Sequence, residues 1–104
     1  MNFDQYQAEC ETTCLPTARN IPYLIAGLAS EAGEVCSVFK KGIRDNRGAI
    51  PTSQMHKELG DVLWYVAMLC NIFRMDMGEI AAANIGKLKD RKERGTLSGS
   101  GDER

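Results

Sequence analysis

The stretch from Met55 to Phe73 carries apolar side chains at Met55, Leu59, Val62, Leu63, Val66, Leu69, Cys70 and Phe73. The rhythm is that of a helix, but the apolar positions are too many for one that buries a single narrow stripe. A helix over about 52–74 must therefore sit centrally and touch neighbours on more than one side. The rest of the chain reads as helices around it. The first spans about 3–13, capped by Asn2, with Phe3, Tyr6, Gln7, Cys10 and Cys14 as a mixed stripe that Leu15-Pro16 ends. The second spans about 22–41. Asn20 is its cap and Pro22 suits its first turn; Leu24, Leu28, Ala32, Val35 and Phe39 make its ridge. Lys40-Lys41 complements the negative end of this helix and Gly42 fits a stop. Residues 42–50 are rich in turn formers, and Asp76-Met77-Gly78-Glu79 opens a fourth helix over about 77–92. No stretch reads as a strand. The expected architecture is all-α: a four-helix bundle in one domain over 1–94, then a flexible Gly/Ser-rich tail over 95–104.

Bulk composition excludes several functions. The 104 residues hold 13 Lys and Arg against 14 Asp and Glu, for a net charge of −1. That balance leaves no basic footprint for a nucleic-acid backbone, so neither a nucleic-acid partner nor nuclease activity is expected. No apolar run approaches the roughly 20 residues of a membrane span, and no signal peptide opens the chain. No membrane partner is expected, and the predicted location is the cytoplasm. The four cysteines, Cys10, Cys14, Cys36 and Cys70, form no C-x-x-C pair and accompany a single histidine, His56. A zinc site lacks its ligands, and a ferritin-like di-iron bundle lacks the Glu-x-x-His it needs on two helices.

Two pairs of acids carry the chemistry. Glu31 and Glu34 make E-x-x-E on the second helix; Glu58 and Asp61 make E-x-x-D on the third. Acids at i and i+3 share a helix face, and these are threaded through apolar residues with few basic partners four residues away. Taking Lys41 and Pro51 as helix ends, Glu34 and Glu58 each lie seven residues from the connection, roughly 10 Å along an antiparallel pair. The two pairs then face each other at one height. Clustered carboxylates repel and raise one another's pKa unless a cation sits among them. Oxygen-only ligands of this kind suit Mg²⁺, with Mn²⁺ as the alternative, and a site suited to phosphoryl chemistry.

The segments Glu31-Ala32-Gly33-Glu34 and Lys57-Glu58-Leu59-Gly60-Asp61-Val62-Leu63-Trp64-Tyr65 resemble the MazG family of nucleotide pyrophosphohydrolases. That all-α group carries E-x-x-E, a spacer, then E-x-x-D, often continued as G-D-V-L-W-Y. The likeness runs from Tyr6-Gln7 to the tail. It includes Asn84-x-x-Lys87-Leu88-x-x-Arg91 on the last helix and the closing Gly99-Ser100-Gly101-Asp102-x-Arg104, similar to a short branch among phage and bacterial members. The resemblance implies that Glu31, Glu34, Glu58 and Asp61 bind Mg²⁺, and that a metal-activated water attacks between the α- and β-phosphates of a nucleoside triphosphate. Glu34 is the candidate for taking the water's proton. It also implies a homo-oligomer, with a tetramer favoured over a dimer, and the host cytoplasm as location if a phage encodes the chain.

Asn84, Lys87 and Arg91 fall on one stripe of the fourth helix. They could hold the phosphate chain, or they could be an ordinary solvated basic face beside Lys89 and Lys92. Tyr65, four residues past Asp61, could lean over the metal site or the sugar. Trp64 fits core packing or an interface anchor. Gln7 could read a base edge or simply occupy a surface, Lys40, Lys41 and Arg44 could face phosphates, and His56 reads as incidental. A non-catalytic helical oligomer acting as an interaction module is the rival from another class. Pyrophosphate release that requires magnesium separates the two.

Overall fold

The computed structural model describes residues 1–104. Four helices, α1 (Phe3–Thr12), α2 (Ile21–Asp45), α3 (Thr52–Ile72) and α4 (Met77–Glu93), are joined by short connections, with one 3₁₀ turn at Pro16–Ala18 and no strand. Three caps stand where the sequence puts them. The Asn2 side chain accepts from the Gln5 N–H at 2.8 Å while Gln5 reaches back to the Asn2 N–H at 2.8 Å, a complete capping box. Asn20 accepts from the Tyr23 N–H at 2.9 Å, and Asp76 from the Glu79 N–H at 3.0 Å.

α2 and α3 make the most extensive contact, α1 packs across α3, and α1 also touches α4. The central position expected for the third helix is what the structure has. Its register with α2 is antiparallel: the chain at Gly27 meets Tyr65, Glu31 meets Asp61, and Gly42 meets Ile50. Leu24, Ala67 and Met68 are fully enclosed, joined by Cys10, Cys70 and Met77, and Tyr6, Trp64, Tyr65, Val66, Leu69 and Ile72 pack around them.

Two helix ends differ from expectation. α2 does not stop at Gly42 but continues to Asp45. The glycine is there because the chain folds back onto the helix. A Cβ on Gly42 would lie 2.7 Å from the Ala49 carbonyl oxygen, and the Gly48 N–H donates to the Gly42 carbonyl at 2.9 Å. α3 ends at Ile72, before Arg74, because Arg74 turns into the left-handed region at φ 57°. There the Met75 N–H reaches the Cys70 carbonyl at 2.8 Å and the Arg74 N–H reaches Asn71 at 3.0 Å, a Schellman closure built without glycine.

The last ten residues form neither helix nor strand, yet they fold back on α4. Gly95 (φ 70°) closes α4, with the Thr96 N–H on the Arg91 carbonyl at 2.8 Å, and Gly99 and Gly101 turn the chain through further positive φ angles. The protomer as a whole is open. Ten of 104 residues are buried, and the radius of gyration is 16.6 Å where a chain of this length ordinarily has about 13 Å.

Candidate metal centre

The acid pairs are built by two helix faces that the α2–α3 packing turns toward each other. Glu31, Glu58 and Asp61 each offer a carboxylate oxygen, and these three oxygens lie within 4.8 Å of one another. None of the three is paired with a lysine or arginine. Burial pushes the Glu31 carboxyl above its ordinary value, and the charges of Asp61, Glu58 and Glu34 push it further in the same direction. Glu34, expected as a fourth ligand and as proton acceptor, is exposed and lies outside the trio, though near enough for its charge to act on Glu31. The donor set is all carboxylate oxygen with no competing cation, which fits a hard divalent ion such as Mg²⁺.

An open cleft of about 380 Å³ leads to the acids, lined by Thr13, Glu31, Asp61, Trp64 and Tyr65. Tyr65 lines this cleft beside Glu31 and Asp61. Its ring lies against the bare backbone of α2: a Cβ at Gly27 would come within 2.1 Å of it. Burial raises the Tyr65 pKa, helped by Tyr23, Glu31 and Asp61, so the phenol stays protonated beside the acids. Trp64 meets Tyr65 edge-on, with ring centroids 4.9 Å apart at 82°, and its indole N–H donates to the Thr13 hydroxyl at 2.8 Å. That bond ties the aromatic wall to the end of α1. Tyr6, from α1, feels Asp61 as well; burial first, then Cys10 and Asp61, raise its pKa to about 12.

Sequence reasoning missed Thr13 and Gly27. Gly27 leaves no signal in the sequence that separates it from Gly33 and Gly60, helix-interior glycines with nothing within 4 Å in the protomer. Gln7 is reassigned from a base-reading candidate to a structural clip. Its amide donates to the Asn71 side chain and the Met75 carbonyl, both at 2.9 Å, and accepts from the Met77 N–H at 2.9 Å, tying α1 to the junction of α3 and α4. Lys40 and Lys41 stand exposed, and Arg44 is committed to Asp45 at 2.8 Å. His56 is exposed, and Cys10 and Cys70 are buried free thiols whose pKa values burial raises.

The stripe of Asn84, Lys87 and Arg91 is not brought to the acids within the protomer. Asn84 is exposed. Lys87 pairs with Asp102 at 2.8 Å, and the buried Arg91 bonds both the carbonyl and, at 3.2 Å, the carboxylate of Asp102. No helix is long and apolar enough to cross a membrane.

Residues 19–96 match the MazG nucleotide pyrophosphohydrolase domain. The gene 37 protein of Mycobacterium phage L5 is 39% identical over 114 residues, an alignment that covers 100% of both chains. No solved structure matches the chain.

Proposed function

The chain belongs to the MazG nucleotide pyrophosphohydrolase family, and on that premise we propose that it hydrolyses nucleoside triphosphates, with Mg²⁺, to the monophosphate and pyrophosphate. The observation that carries this reading is the trio of Glu31, Glu58 and Asp61, three converging carboxylates that no basic residue neutralises. Left alone, such a cluster costs the fold charge repulsion. A helix pair selected only for packing has no reason to keep it.

In this reading Glu31, Glu58 and Asp61 hold Mg²⁺ (Mn²⁺ as a substitute), and Glu34 completes the set from one turn along α2. The ion, when bound, neutralises charge on the phosphate oxygens and makes a water more acidic. Glu34, exposed at the edge of the trio, takes the proton of the water that attacks the α-phosphorus. The α–β anhydride bond breaks and pyrophosphate leaves with its electron pair. Tyr65, with its ring fixed by Gly27 and Trp64, forms the wall against which sugar or base rests. Asn84, Lys87 and Arg91, which the protomer keeps apart from its own acids, hold the phosphate chain of a substrate bound at the acids of a second copy.

The chain works as a homo-oligomer, a tetramer in preference to a dimer. Phe39 and Ile43 on α2, Leu59 and Leu63 on α3, and Ile80 and Ile85 on α4 are exposed in the protomer, and packing against a second copy would take them out of water. Gly33, Gly60 and Gly86 are helix-interior glycines that face open space, so nothing inside the protomer accounts for them, whereas close approach by a second copy does. The cytoplasm fits this substrate class.

The rival interaction module accounts for the exposed apolar residues but not for the acids. Product analysis over a panel of ribo- and deoxyribonucleoside triphosphates separates the readings. Magnesium-dependent formation of monophosphate and pyrophosphate, lost in Glu34→Gln and Asp61→Asn, is the expected result. Absence of any triphosphate turnover across the panel would leave the module as the better account.

A further inference from the structure

The last ten residues are shaped by their own sequence. Gly95, Gly99 and Gly101 sit at φ 70°, 114° and 86°, a region other residues adopt only with strain. Arg104 then fastens the loop to itself. Its guanidinium donates to the carbonyls of Thr96 at 3.1 Å, Leu97 at 2.9 Å and Gly101 at 2.7 Å, and its stem passes 3.3 Å from where a Gly99 side chain would start. The closed loop is laid on the cationic stripe of α4. Lys87 reaches the Asp102 carboxylate at 2.8 Å, Arg91 bonds both oxygen types of Asp102, and Arg94 donates to the Arg104 carbonyl at 2.8 Å.

Arg91 is the telling residue. Its side chain is 5% exposed, while that of its acidic partner Asp102 is 73% exposed. A buried guanidinium with one anionic partner, itself carried on an exposed loop, is an anion site whose occupant can leave without disturbing the helices. Lys87 and Arg91 together offer a point charge and a planar fork, the combination that also takes phosphate oxygens. Asp102 is held at high effective concentration by its short tether, so any soluble anion must compete with it.

We propose that Asp102 is a built-in competitor for an anion site formed by Lys87 and Arg91, and that a polyphosphate group binds there by displacing the tail. That the anion is a polyphosphate rests on the function proposed above; the exchange of carboxylate for anion does not. The tail therefore reports the occupancy of α4. It is docked in the free protein and released when the site is filled by a stronger anion. A ligand whose site is only fractionally open binds with correspondingly weakened apparent affinity. Removing the competitor should tighten binding by roughly threefold to tenfold, the range for a clasp made of one partly exposed ion-pair network.

The experiment uses the full chain without divalent metal and inorganic tripolyphosphate as the probe. Binding is followed by calorimetry, and the tail by the backbone amide signals of Gly95, Gly99 and Gly101. In the wild type, saturation with tripolyphosphate is expected to move those signals to the positions seen in Asp102→Ala without ligand. Asp102→Ala and Asp102→Asn are expected to bind more tightly than wild type, and Lys87→Met more weakly. Equal or weaker binding by Asp102→Ala, or tail signals that stay unmoved at saturation, would overturn the proposal. Triphosphate turnover of the wild type, measured separately with Mg²⁺, keeps the two readings apart. Tail exchange without turnover removes the enzyme and leaves the competitor; turnover without tighter binding by Asp102→Ala does the reverse.

Discussion

The seam between α2 and α3 and the clasp between α4 and the tail are both stripes of charge on helices, and they resolve that charge in opposite ways. At the seam, Glu31, Glu58 and Asp61 converge with no cation from the chain. At the clasp, Lys87 and Arg91 converge on an anion the chain itself supplies. The two carboxylates at the centre of these regions move accordingly. Burial and neighbouring acids push the Glu31 carboxyl up, whereas hydrogen bonds from Lys87 and then Arg91 pull the Asp102 carboxyl down. Spacing alone does not distinguish a ligand site from a structural pair. Whether the charge is compensated from within does.

The largest effect that tests this contrast is on turnover. Glu31→Gln and Asp61→Asn each remove a charge that no other group in the protein uses, so both should cut kcat/KM for triphosphate by at least about 100-fold. Loss of residues that merely orient metal ligands already costs 10- to 100-fold. Circular dichroism should show the helices intact. Turnover within threefold of wild type in both variants would make the seam as incidental as any charged helix face.

Next in size is Gly27→Ala. The added methyl would lie 2.1 Å from the Tyr65 ring, so either the ring leaves the cleft or the helices part. Overpacking of this kind costs about 1–3 kcal/mol, measurable by urea denaturation. Gly33→Ala, where nothing stands within 4 Å in the protomer, serves as its partner. Alanine there should raise or preserve protomer stability through helix propensity, while sedimentation velocity would reveal a weakened assembly if a second copy packs on that face. A Gly27→Ala variant as stable as wild type would mean that Tyr65 is not a fixed wall.

Legibility followed the same division. The four helices and their caps at Asn2, Asn20 and Asp76 could be read because periodicity and capping chemistry are local signals, and the spacing of acids pointed to the helix faces that carry Glu31, Glu58 and Asp61. The register held only in part. α2 runs on to Asp45 and the loop folds back along it; Glu31, Glu58 and Asp61 meet, while Glu34, which the register sets opposite Glu58, lies outside the trio. The end of α3 was not legible, because Arg74 takes a left-handed conformation that sequence assigns to glycine. The role of Gln7 was hidden too, since its partners Asn71, Met75 and Met77 lie more than sixty residues away. The tail was read by composition as flexible. Its order comes from Arg104 and Asp102, whose partners no local pattern names.

A smaller effect is metal binding read as stability. If the seam is a Mg²⁺ site, the ion binds the folded chain alone and should stabilise it by about 1.4 kcal/mol at ten times its Kd. Differential scanning calorimetry with and without MgCl₂ measures this, with Asp61→Asn as the control that should show no gain. Equal gains in wild type and variant would locate the ion elsewhere.

The smallest effect is a pair of opposite pH slopes. Glu31 binds its proton more tightly in the folded chain than in the unfolded one. Its contribution to stability is therefore fully present below the unfolded value near 4.5 and is lost as pH rises through the higher folded value. Asp102 is held below 3.8, so its contribution is present above that value and is lost as pH falls through the lower folded one. In the absence of metal, Glu31→Gln should therefore raise the melting temperature slightly at pH 7 and change it little at pH 4. Asp102→Asn should lower it slightly at pH 7, with the difference shrinking as pH falls below 3.8 and vanishing once the folded carboxyl is protonated. Excess Mg²⁺ should reverse the first difference at pH 7, because the wild-type carboxylate then has its cation, and should leave the second untouched, because Asp102 already has two. A Glu31→Gln variant less stable than wild type in metal-free buffer would mean that the seam acids support the fold by themselves, and the contrast between the two regions would collapse.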